Sequence, residues 1–310
     1  MNLKTKETKI AFSILMANFN NEKYIEDAIN SVLNQTFTQW ELIIVDDKST
    51  DNSLEKINPF LKFKNIHLIK HQYNLGYGGT LKTAAKKAKN QIIAILDPDD
   101  VLHTAALEKI AYIYEIYPKH GFIYSSMWRC DEELKNCKID NTIRQIDVND
   151  IHSLYNPPIS HFKTFKKNIY MKTKGFEVTQ KKAIDKDIFY KLSEVTDFKF
   201  LNLPLYYYRE HETGISQGSA NLEAKYFSYI ARLKAYRRRK NTNLPNFDYR
   251  NLKIFYYYNI TFYNVFRFLI KKFLTLRLDL LINYLISIIP VATLKKRLLN
   301  FKSKYIDIFG

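Results

Sequence analysis

The stretch QIIAILDPDD, residues 91–100, is an apolar run that ends in acidic residues, and ELIIVDD, residues 41–47, repeats the pattern. Two further apolar runs, IAFSILMA at 10–17 and NIHLIKH at 65–71, are also followed by polar residues. Short apolar runs of this kind predict buried strands. The four predicted strands end near Asn18, Asp47, His71 and Asp97.

Segments with helical spacing separate the four predicted strands. Residues 20–36 are the first of them, and Asn20 or Asn21 is the expected N-cap of that helix. Residues 80–90, rich in Lys and Ala, form another. Strands that alternate with helices predict an α/β domain with a mostly parallel sheet, which binds its ligand at the carboxyl ends of the strands. The polar residues of this chain fall at those ends.

Asp46 and Asp47 follow the second predicted strand directly. A carboxylate at a strand end can accept a hydrogen bond from a base N–H or a ribose hydroxyl. The alternative is that the two acids cap the next helix, but Ser49 and Asp51 are already available for that purpose. Asp46 and Asp47 are therefore surplus to the predicted fold and available for a ligand.

The second acidic group is Asp97-Pro98-Asp99-Asp100, at the end of the fourth predicted strand. Carboxylates this close together repel one another, and a divalent cation would neutralise them. Hard oxygen ligands suit Mg²⁺ or Mn²⁺, which could bridge diphosphate oxygens. A turn that starts a helix is the alternative. The presence of two acids on a neighbouring strand end favours the cation site.

A glycine-rich segment, NLGYGG at 74–79, precedes the Lys- and Ala-rich helix. Its glycines could bring the main chain close to a ligand, and the helix N-terminus with Lys82 could face a phosphate. The spacing of a Walker motif is absent. Glycine-rich turns before helices are common, so this segment alone is a weak indication.

Taken together, three segments carry a resemblance to a known family: residues 13–53, NLGYGGTLKTAAKKA at 74–88 and IIAILDPDD at 92–100. They closely resemble family 2 glycosyltransferases, which have the GT-A fold. The run SVLNQTFTQWELIIVDDKSTD at 31–51 is the most specific part. The resemblance covers about residues 10–215. It implies a GT-A domain that transfers a sugar from a nucleoside diphosphate to a hydroxyl group.

The resemblance also implies roles for matching residues on the donor side. Asp46 and Asp47 would contact the nucleoside, Asp97 would lie near the ribose, and Asp99 would bind the metal ion. The residues that we assign to nucleotide-sugar binding are Asn18, Asp46, Asp47, Asn74, Gly76, Lys82, Asp97, Asp99 and Arg209.

In the second half, the family's acidic pair is matched by AIDKDIF, residues 183–189. Asp185 would be the general base, and the sugar would be transferred with inversion at the anomeric carbon. The usual Glu is replaced by Ile184, which puts the positioning of the acceptor in doubt. Asp185 could instead be an N-cap, and Asp187 could be the relevant acid on the acceptor side.

The segment LYYYREHETGIS, residues 205–216, also matches a family motif. It implies that His211 helps to hold the metal ion or the diphosphate and that Arg209 neutralises phosphate charge; a surface loop is the alternative. We place His161 and Trp128 on the acceptor side on weaker grounds.

The composition limits which binding partners and which cellular compartment are expected. A net charge of +17 is compatible with nucleic acid, an anionic membrane or phosphorylated substrates. No nucleic-acid-binding signature is present and acids crowd the predicted cleft, so no nucleic-acid partner is expected. Cys130 and Cys137 lack zinc-site spacing and predict two ordinary thiols in a reducing compartment. The apolar run at 10–17 is too short for a signal peptide, which predicts a cytosolic start.

The character of the chain changes near residue 219. We predict a catalytic domain at 1–218, with a donor half at about 10–100 and an acceptor half at 101–218, and a helical C-terminal region at 219–310. A basic segment at 222–240 precedes an apolar one at 251–290 that charges interrupt. We favour amphipathic helices on an anionic membrane surface; packing on the α/β core or on another subunit is the alternative.

The leading hypothesis is an inverting, metal-dependent glycosyltransferase of bacterial surface polysaccharide synthesis. It would use Mn²⁺ or Mg²⁺ and a nucleotide-diphosphate sugar, with UDP as the default, and a saccharide or lipid-linked saccharide as acceptor. It would be cytoplasmic and peripheral at the inner face of the membrane. The alternatives are a catalytically impaired sugar-nucleotide-binding protein and a nucleotidyltransferase. The second is disfavoured because Asn18-Phe19-Asn20-Asn21 stand where an Arg- and Lys-containing Gly-rich signature belongs.

Overall fold

The computed structural model describes residues 10–155, 157–211 and 221–248. Its centre is a sheet with the strand order β3-β2-β1-β4-β8-β6-β9-β5, and β7 pairs with β6. The strands are β1 Phe12–Asn18, β2 Trp40–Asp46, β3 Ile66–Lys70, β4 Ile92–Ile95, β5 Val101–Leu102, β6 Phe122–Cys130, β7 Lys138–Ile139, β8 Lys163–Lys166 and β9 Phe198–Arg209. The helices are α1 Ile25–Leu33, α2 Ser53–Ile57, α3 Gly76–Lys87, α4 Ala106–Ile116, α5 Ile151–Tyr155, α6 Lys167–Tyr170, α7 Ile184–Leu192 and α8 Asn221–Arg239, with a 3₁₀ helix at Asn58–Lys62.

The first half of the sheet confirms the predicted α/β class. β3, β2, β1 and β4 are mutually parallel neighbours, and every residue of β1 is buried. Asn18 and Asp46 are register partners at the ends of β1 and β2. The carboxyl ends of these strands therefore lie at one edge of the sheet, where the sequence places the polar residues.

The second half of the sheet is mixed. β8 is antiparallel to both β4 and β6, whereas β9 is parallel to β6 and antiparallel to β5. The segment Leu205–Arg209, for which a surface loop was the alternative, is the last part of β9. That strand carries its residues back to the acidic turn after β4.

The beginnings of two helices differ from the prediction. α1 begins at Ile25 with Tyr24 at the N-cap, and the main-chain carbonyl of Asn21 accepts hydrogen bonds from the N–H groups of both residues. Neither Asn20 nor Asn21 is thus the side-chain cap that we predicted. α3 begins at Gly76, so the glycine-rich segment belongs to the helix rather than to a turn before it.

The glycines of α3 serve packing. Gly78 is buried, and a Cβ atom added there would lie 2.8 Å from the main-chain oxygen of Glu177 and 3.3 Å from Ile184. Gly79 would meet the side chain of Leu75 at 2.7 Å. We predicted close approach to a ligand, but the atoms that approach these two glycines belong to the protein itself: the Glu177 carbonyl and the Ile184 side chain at Gly78, and side chains at Gly79.

α8 belongs to the same compact unit as the sheet. This unit extends to Phe247, whereas we predicted a catalytic domain that ends at residue 218. The helix packs on α7. Three of its basic residues point into this unit: Arg232 donates to the Tyr155 carbonyl, Arg238 pairs with Glu194, and Arg239 donates to Ser193 Oγ. Those three charges are not available to a lipid surface.

The apolar segment at 251–290 lies outside the described residues. Among the residues that the structure does describe, none of the helices has both the length and the hydropathy that a membrane crossing requires.

Cys130 and Cys137 form a disulfide. The prediction of two ordinary thiols is therefore wrong, and the argument for a reducing compartment loses its basis. The physical reason is the hairpin: Cys130 ends β6, Cys137 precedes β7, and the two strands pair in antiparallel fashion. Spacing along the sequence does not reveal that proximity.

Candidate active site

The acidic turn, residues 97–100, follows β4 at the carboxyl edge of the parallel strands. Asp97 accepts a hydrogen bond from the hydroxyl of Tyr77 at 2.6 Å. Asp100 is buried and accepts hydrogen bonds from the Tyr206 hydroxyl at 2.7 Å and from the Arg209 main-chain N–H at 2.8 Å. The turn is thus held from α3 on one side and from β9 on the other.

Asp99 is half-buried and faces His211, with 3.0 Å between Oδ2 and Nε2. The His211 ring packs against Tyr24, with the ring centroids 4.8 Å apart. The structure therefore brings together the two residues that the sequence analysis assigns to the metal ion.

The Arg209 side chain connects the acidic turn to neighbouring segments of the chain. Its Nε donates to the Asp99 carbonyl at 2.8 Å, and its two Nη atoms donate to the Glu132 carbonyl and to Asp27. The side chain is 5% exposed. All three donor groups have protein partners, so Arg209 shapes the acidic turn, whereas we predicted that it neutralises phosphate.

The electrostatics of the turn favour a cation. Burial and, to a smaller extent, the charge of Asp99 raise the pKa of Asp97 to about 6, against the opposing charge of Lys163. Burial and the charges of Asp99 and Asp97 raise the pKa of Asp100 well above its usual range. A bound cation would stabilise the charged forms of these carboxylates.

A ring nitrogen of His161 and carboxylate oxygens of Asp97 and Asp100 lie within 4.8 Å of one another. Nδ1 of His161 is buried and has no hydrogen-bond partner. Burial lowers the pKa of His161 well below its usual range, so the ring is neutral at pH 7. Carboxylate oxygens are the ligands that Mg²⁺ and Mn²⁺ prefer, and the carboxylates at this turn therefore fit a divalent cation.

Asp46 is buried, and its carboxylate accepts hydrogen bonds from other residues of the protein. It accepts hydrogen bonds from Asn18 Nδ2 at 2.8 Å, from the Ser49 hydroxyl at 2.6 Å and from the Ser49 main-chain N–H at 3.0 Å. We expected it to be surplus to the fold; instead it orders the loop after β2. Asn18 is fully buried, and its Oδ1 has no hydrogen-bond partner.

Asp47 is also buried and faces the start of α3. It accepts hydrogen bonds from the main-chain N–H groups of Leu75 and Gly76 at 2.9 and 2.8 Å, and Nδ1 of His71 lies 2.7 Å from it. The Asn74 amide donates to the Asp47 carbonyl. The Asp47 carboxylate therefore occupies the N-terminus of α3, where we expected a phosphate.

Lys82, on the same helix, is exposed, and its charge contributes to the lowered pKa of Glu177. The structure gives it no contact with the acidic turn among the described residues.

A second group of residues lines a cavity of about 470 Å³ beside the acidic turn. Its lining residues are Met127, Arg129, Ser160, His161, Asp185, Tyr208 and Glu210. Asp185 is half-buried. His161 lines the cavity together with Asp185, and Nε2 of His161 lies 3.7 Å from Asp97 Oδ2, so the cavity adjoins the acidic turn.

Two neighbours of Asp185 on α7 face elsewhere. Asp187 is 1% exposed and pairs with Lys191 at 2.6 Å inside the protein. Ile184, which stands where the family usually has Glu, is buried against Gly78. Of the two acids, only Asp185 lines the cavity.

Trp128, expected on the acceptor side, is half-buried and stacks on Tyr207 with ring centroids 6.5 Å apart. It does not line the cavity, because its neighbours Met127 and Arg129 point there and side chains alternate along a strand. The site residues that sequence reasoning missed are Tyr77, Ser160, Tyr206, Tyr208 and Glu210. Two signals were available: Tyr77 interrupts the glycine-rich segment, and Tyr206, Tyr208 and Glu210 lie in the motif segment at 205–216.

The model of the family described as Glycosyl transferase family 2 matches residues 13–192, more than half of the chain. The chain belongs to this family. The match includes the acidic turn and Asp185, and it ends before Tyr208, Glu210 and His211.

Individual family 2 proteins are similar to parts of this glycosyltransferase. The UDP-Glc:alpha-D-GlcNAc-diphosphoundecaprenol beta-1,3-glucosyltransferase WfgD of Escherichia coli is 41% identical over 96 residues, which cover 31% of this chain and 38% of WfgD. The chain spans about half the length, or less, of the first curated relatives that it matches.

Two solved structures are similar in fold. Staphylococcus aureus TarS 1–349 in complex with UDP-GlcNAc has a TM-score of 0.62 and 18% identity, over 76% of this chain and 68% of that one. The mannosyltransferase PcManGT of Pyrobaculum calidifontis, in complex with GDP-Man and Mn²⁺, has a TM-score of 0.56 and 15% identity, over 76% and 65%. At this identity the similarity shows the fold, and it confirms the predicted GT-A class.

Proposed function

We propose that this chain is an inverting, metal-dependent glycosyltransferase that moves a sugar from a nucleoside diphosphate to an acceptor hydroxyl. The observation that carries the proposal is that the acidic turn, with the Asp99–His211 pair, adjoins the cavity lined by His161 and Asp185. One side of this cleft offers ligands for a cation and a diphosphate. The other offers a carboxylate beside a cavity large enough for a sugar.

On the donor side, Asp99 and His211 would hold Mn²⁺ or Mg²⁺, and Asp97 would lie toward the ribose. When bound, the cation would neutralise the charge that develops on the leaving diphosphate. PcManGT, a fold relative, binds GDP-Man with Mn²⁺. Asp46 and Asp47 would contribute chiefly by fixing the loops at the nucleoside side, because their oxygens already accept protein hydrogen bonds.

On the acceptor side, Asp185 would act as the general base. It would take the proton of the acceptor hydroxyl as the hydroxyl oxygen attacks the anomeric carbon, and the bond from that carbon to the diphosphate oxygen would break. The products would be the glycoside and the nucleoside diphosphate, with the anomeric centre inverted. A general base must lie within hydrogen-bond reach of its proton, which the cavity beside Asp185 permits.

The acceptor would be a saccharide or a lipid-linked saccharide in the synthesis of a bacterial surface polysaccharide. WfgD carries a diphosphoundecaprenol-linked acceptor in its name, and this supports the lipid-linked class. The protein would then act at the inner face of the cell membrane, with the region at 219–310 as the proposed anchor. UDP is the default nucleotide, because TarS and WfgD both have UDP-sugars in their names or titles.

A sugar-nucleotide-binding protein without catalysis is the second candidate, since Ile184 replaces an acid that the family usually has. The burial of Ile184 against Gly78 weakens this candidate, because the residue packs away from the cavity while Asp185 remains at it.

The test is donor turnover by the purified full chain. UDP-, GDP- and dTDP-sugars would be supplied with Mn²⁺ or Mg²⁺, and release of the nucleoside diphosphate would be measured together with nucleotide binding. We expect metal-dependent turnover or binding of one nucleotide class, lost in Asp99→Ala. Binding without turnover, even with lipid-linked and free saccharide acceptors, would favour the second candidate. No metal-dependent binding of any nucleotide would refute the proposal.

A further inference from the structure

The hydroxyl of Tyr206 contacts both ends of the acidic turn. It donates to Asp100 Oδ2 at 2.7 Å and accepts the main-chain N–H of Asp97 at 3.1 Å. Tyr206 has no exposed surface and Asp100 is 1% exposed, so water does not compete for these hydrogen bonds. One buried hydroxyl on β9 therefore fixes the turn on either side of Asp99.

The second oxygen of Asp100 strengthens the same arrangement. It accepts the main-chain N–H of Arg209, and the Arg209 side chain donates to the carbonyl of Asp99. Asp100 thus joins the end of β9 to the turn and uses both its oxygens within the protein. Removing the Tyr206 hydroxyl would leave a buried carboxylate oxygen without its donor, which is costly in a buried site.

The ring of Tyr206 has a second neighbour, which lies in the cavity wall. His161 stacks on it with ring centroids 4.5 Å apart and 21° between the planes. His161 lines the cavity together with Asp185. Tyr206 thus contacts the acidic turn through its hydroxyl and the acceptor-side wall through its ring.

We infer that Tyr206 is a positioning residue with two separable parts: its hydroxyl holds the turn that presents Asp99 to the cation, and its ring holds His161 in the cavity wall. The inference rests on the proposed function. It concerns a residue that touches neither substrate nor metal, and it explains how β9 couples the two sides of the cleft.

The test compares Tyr206→Phe, Tyr206→Leu and the control Tyr207→Phe in the full chain. Tyr207 is the adjacent residue of β9 and stacks on Trp128 outside the cavity. Binding of Mn²⁺ would be titrated calorimetrically in the presence of UDP, GDP or dTDP, and the ring protons of His161 would be followed by NMR. Thermal melting would verify that each variant is folded.

Tyr206→Phe should weaken Mn²⁺ binding roughly tenfold, as expected for the loss of one hydrogen bond to a buried carboxylate, and leave the His161 signals in place. Tyr206→Leu should weaken binding similarly and also shift the His161 signals, because the stacked ring is gone. Tyr207→Phe should change neither. If Tyr206→Phe fails to fold, Tyr206→Leu still tests the loss of the hydroxyl, and wild-type Mn²⁺ affinity in that variant would overturn the inference.

Two results would overturn the inference while leaving the proposed function intact. One is wild-type affinity for Mn²⁺ in Tyr206→Phe, and the other is an equal loss of affinity in Tyr207→Phe. Absence of Mn²⁺-dependent nucleotide binding in the wild-type chain would overturn the proposed function itself, and this inference with it.

Discussion

Asp185 and Asp187 stand two positions apart on α7 and have different surroundings. Asp185 lines the cavity, whereas Asp187 is buried beside Lys191, which also donates to the Gly175 carbonyl. From the sequence, either acid could have been the base. The difference arises because α7 turns one of them toward the cleft and the other toward the core, and it makes the pair a matched set for mutagenesis.

Asp185→Asn should lower kcat roughly 100-fold or more, because a general base contributes at least that much, and should leave Mn²⁺-dependent nucleotide binding unchanged. Asp187→Asn should instead destabilise the fold by about 3 kcal/mol, since it leaves the buried Lys191 ammonium with only the more distant Glu177 carboxylate, 4.0 Å away, as a charge partner. Steady-state kinetics and denaturant unfolding of both variants distinguish the two effects. Near-normal turnover in Asp185→Asn would rule out its role as the base.

At the scale of elements, the contact between α3 and the segment that leads into α7 positions the catalytic half. Gly78 lets the Glu177 carbonyl and the Ile184 side chain approach the helix. Ile184 is the first residue of α7 and precedes Asp185 directly. The packing of one glycine in the donor half therefore determines where the acceptor-side carboxylate stands.

Gly78→Ala should destabilise the protein by about 1–3 kcal/mol, because the added methyl group would overlap the Glu177 carbonyl. It should also lower kcat, since relief of the overlap moves α7 and Asp185. Lys82→Ala, an exposed substitution on the same helix, is the control and should change the free energy of unfolding by less than about 0.5 kcal/mol. A Gly78→Ala protein with wild-type stability and kcat would contradict this account of the contact.

At the scale of the whole molecule, α8 closes the compact unit that contains the sheet. Tyr229, Ala231 and Ala235 are buried, and Arg239 is 1% exposed. The charge that made this segment resemble a lipid-binding helix is partly used for internal contacts. We therefore expect the proposed membrane contact to depend mainly on residues beyond 247.

Two shortened chains test where the catalytic unit ends. A chain of residues 1–247 should keep its cooperative melting transition, whereas a chain of residues 1–218 should lose at least about 3 kcal/mol because the buried face of α8 is gone. Circular dichroism melting curves of both chains provide the comparison. Equal stability of the two would show that α8 contributes nothing to the unit.

Vesicle binding tests the proposed anchor. The full chain should bind vesicles that contain anionic lipid and should be released by high salt, because the attraction between basic residues and the lipid surface is screened. The 1–247 chain should bind much more weakly, since three arginines of α8 are occupied. Sedimentation with neutral and anionic vesicles measures both. Equal binding by the two chains would place the membrane contact within residues 1–247.

The sequence alone determined the parallel half of the sheet and the residue types at its carboxyl edge. Those features depend on local patterns: apolar runs the length of a strand, helical spacing between them, and acids directly after β2 and β4. The motif match also singled out Asp99, His211 and Asp185, and the first two lie in contact in the structure. Local patterns sufficed because each feature lies within one element or at its end.

Only the tertiary structure decided which of these side chains form contacts within the protein. Asp46, Asp47 and Arg209 bond to protein partners, Asp187 pairs with Lys191, and Cys130 joins Cys137. The sequence patterns also did not predict that β8 pairs with antiparallel neighbours or that β9 lies beside β6. The physical reason is range: these contacts join residues on different elements, and a hydrogen bond or ion pair between them depends on packing that no local pattern encodes.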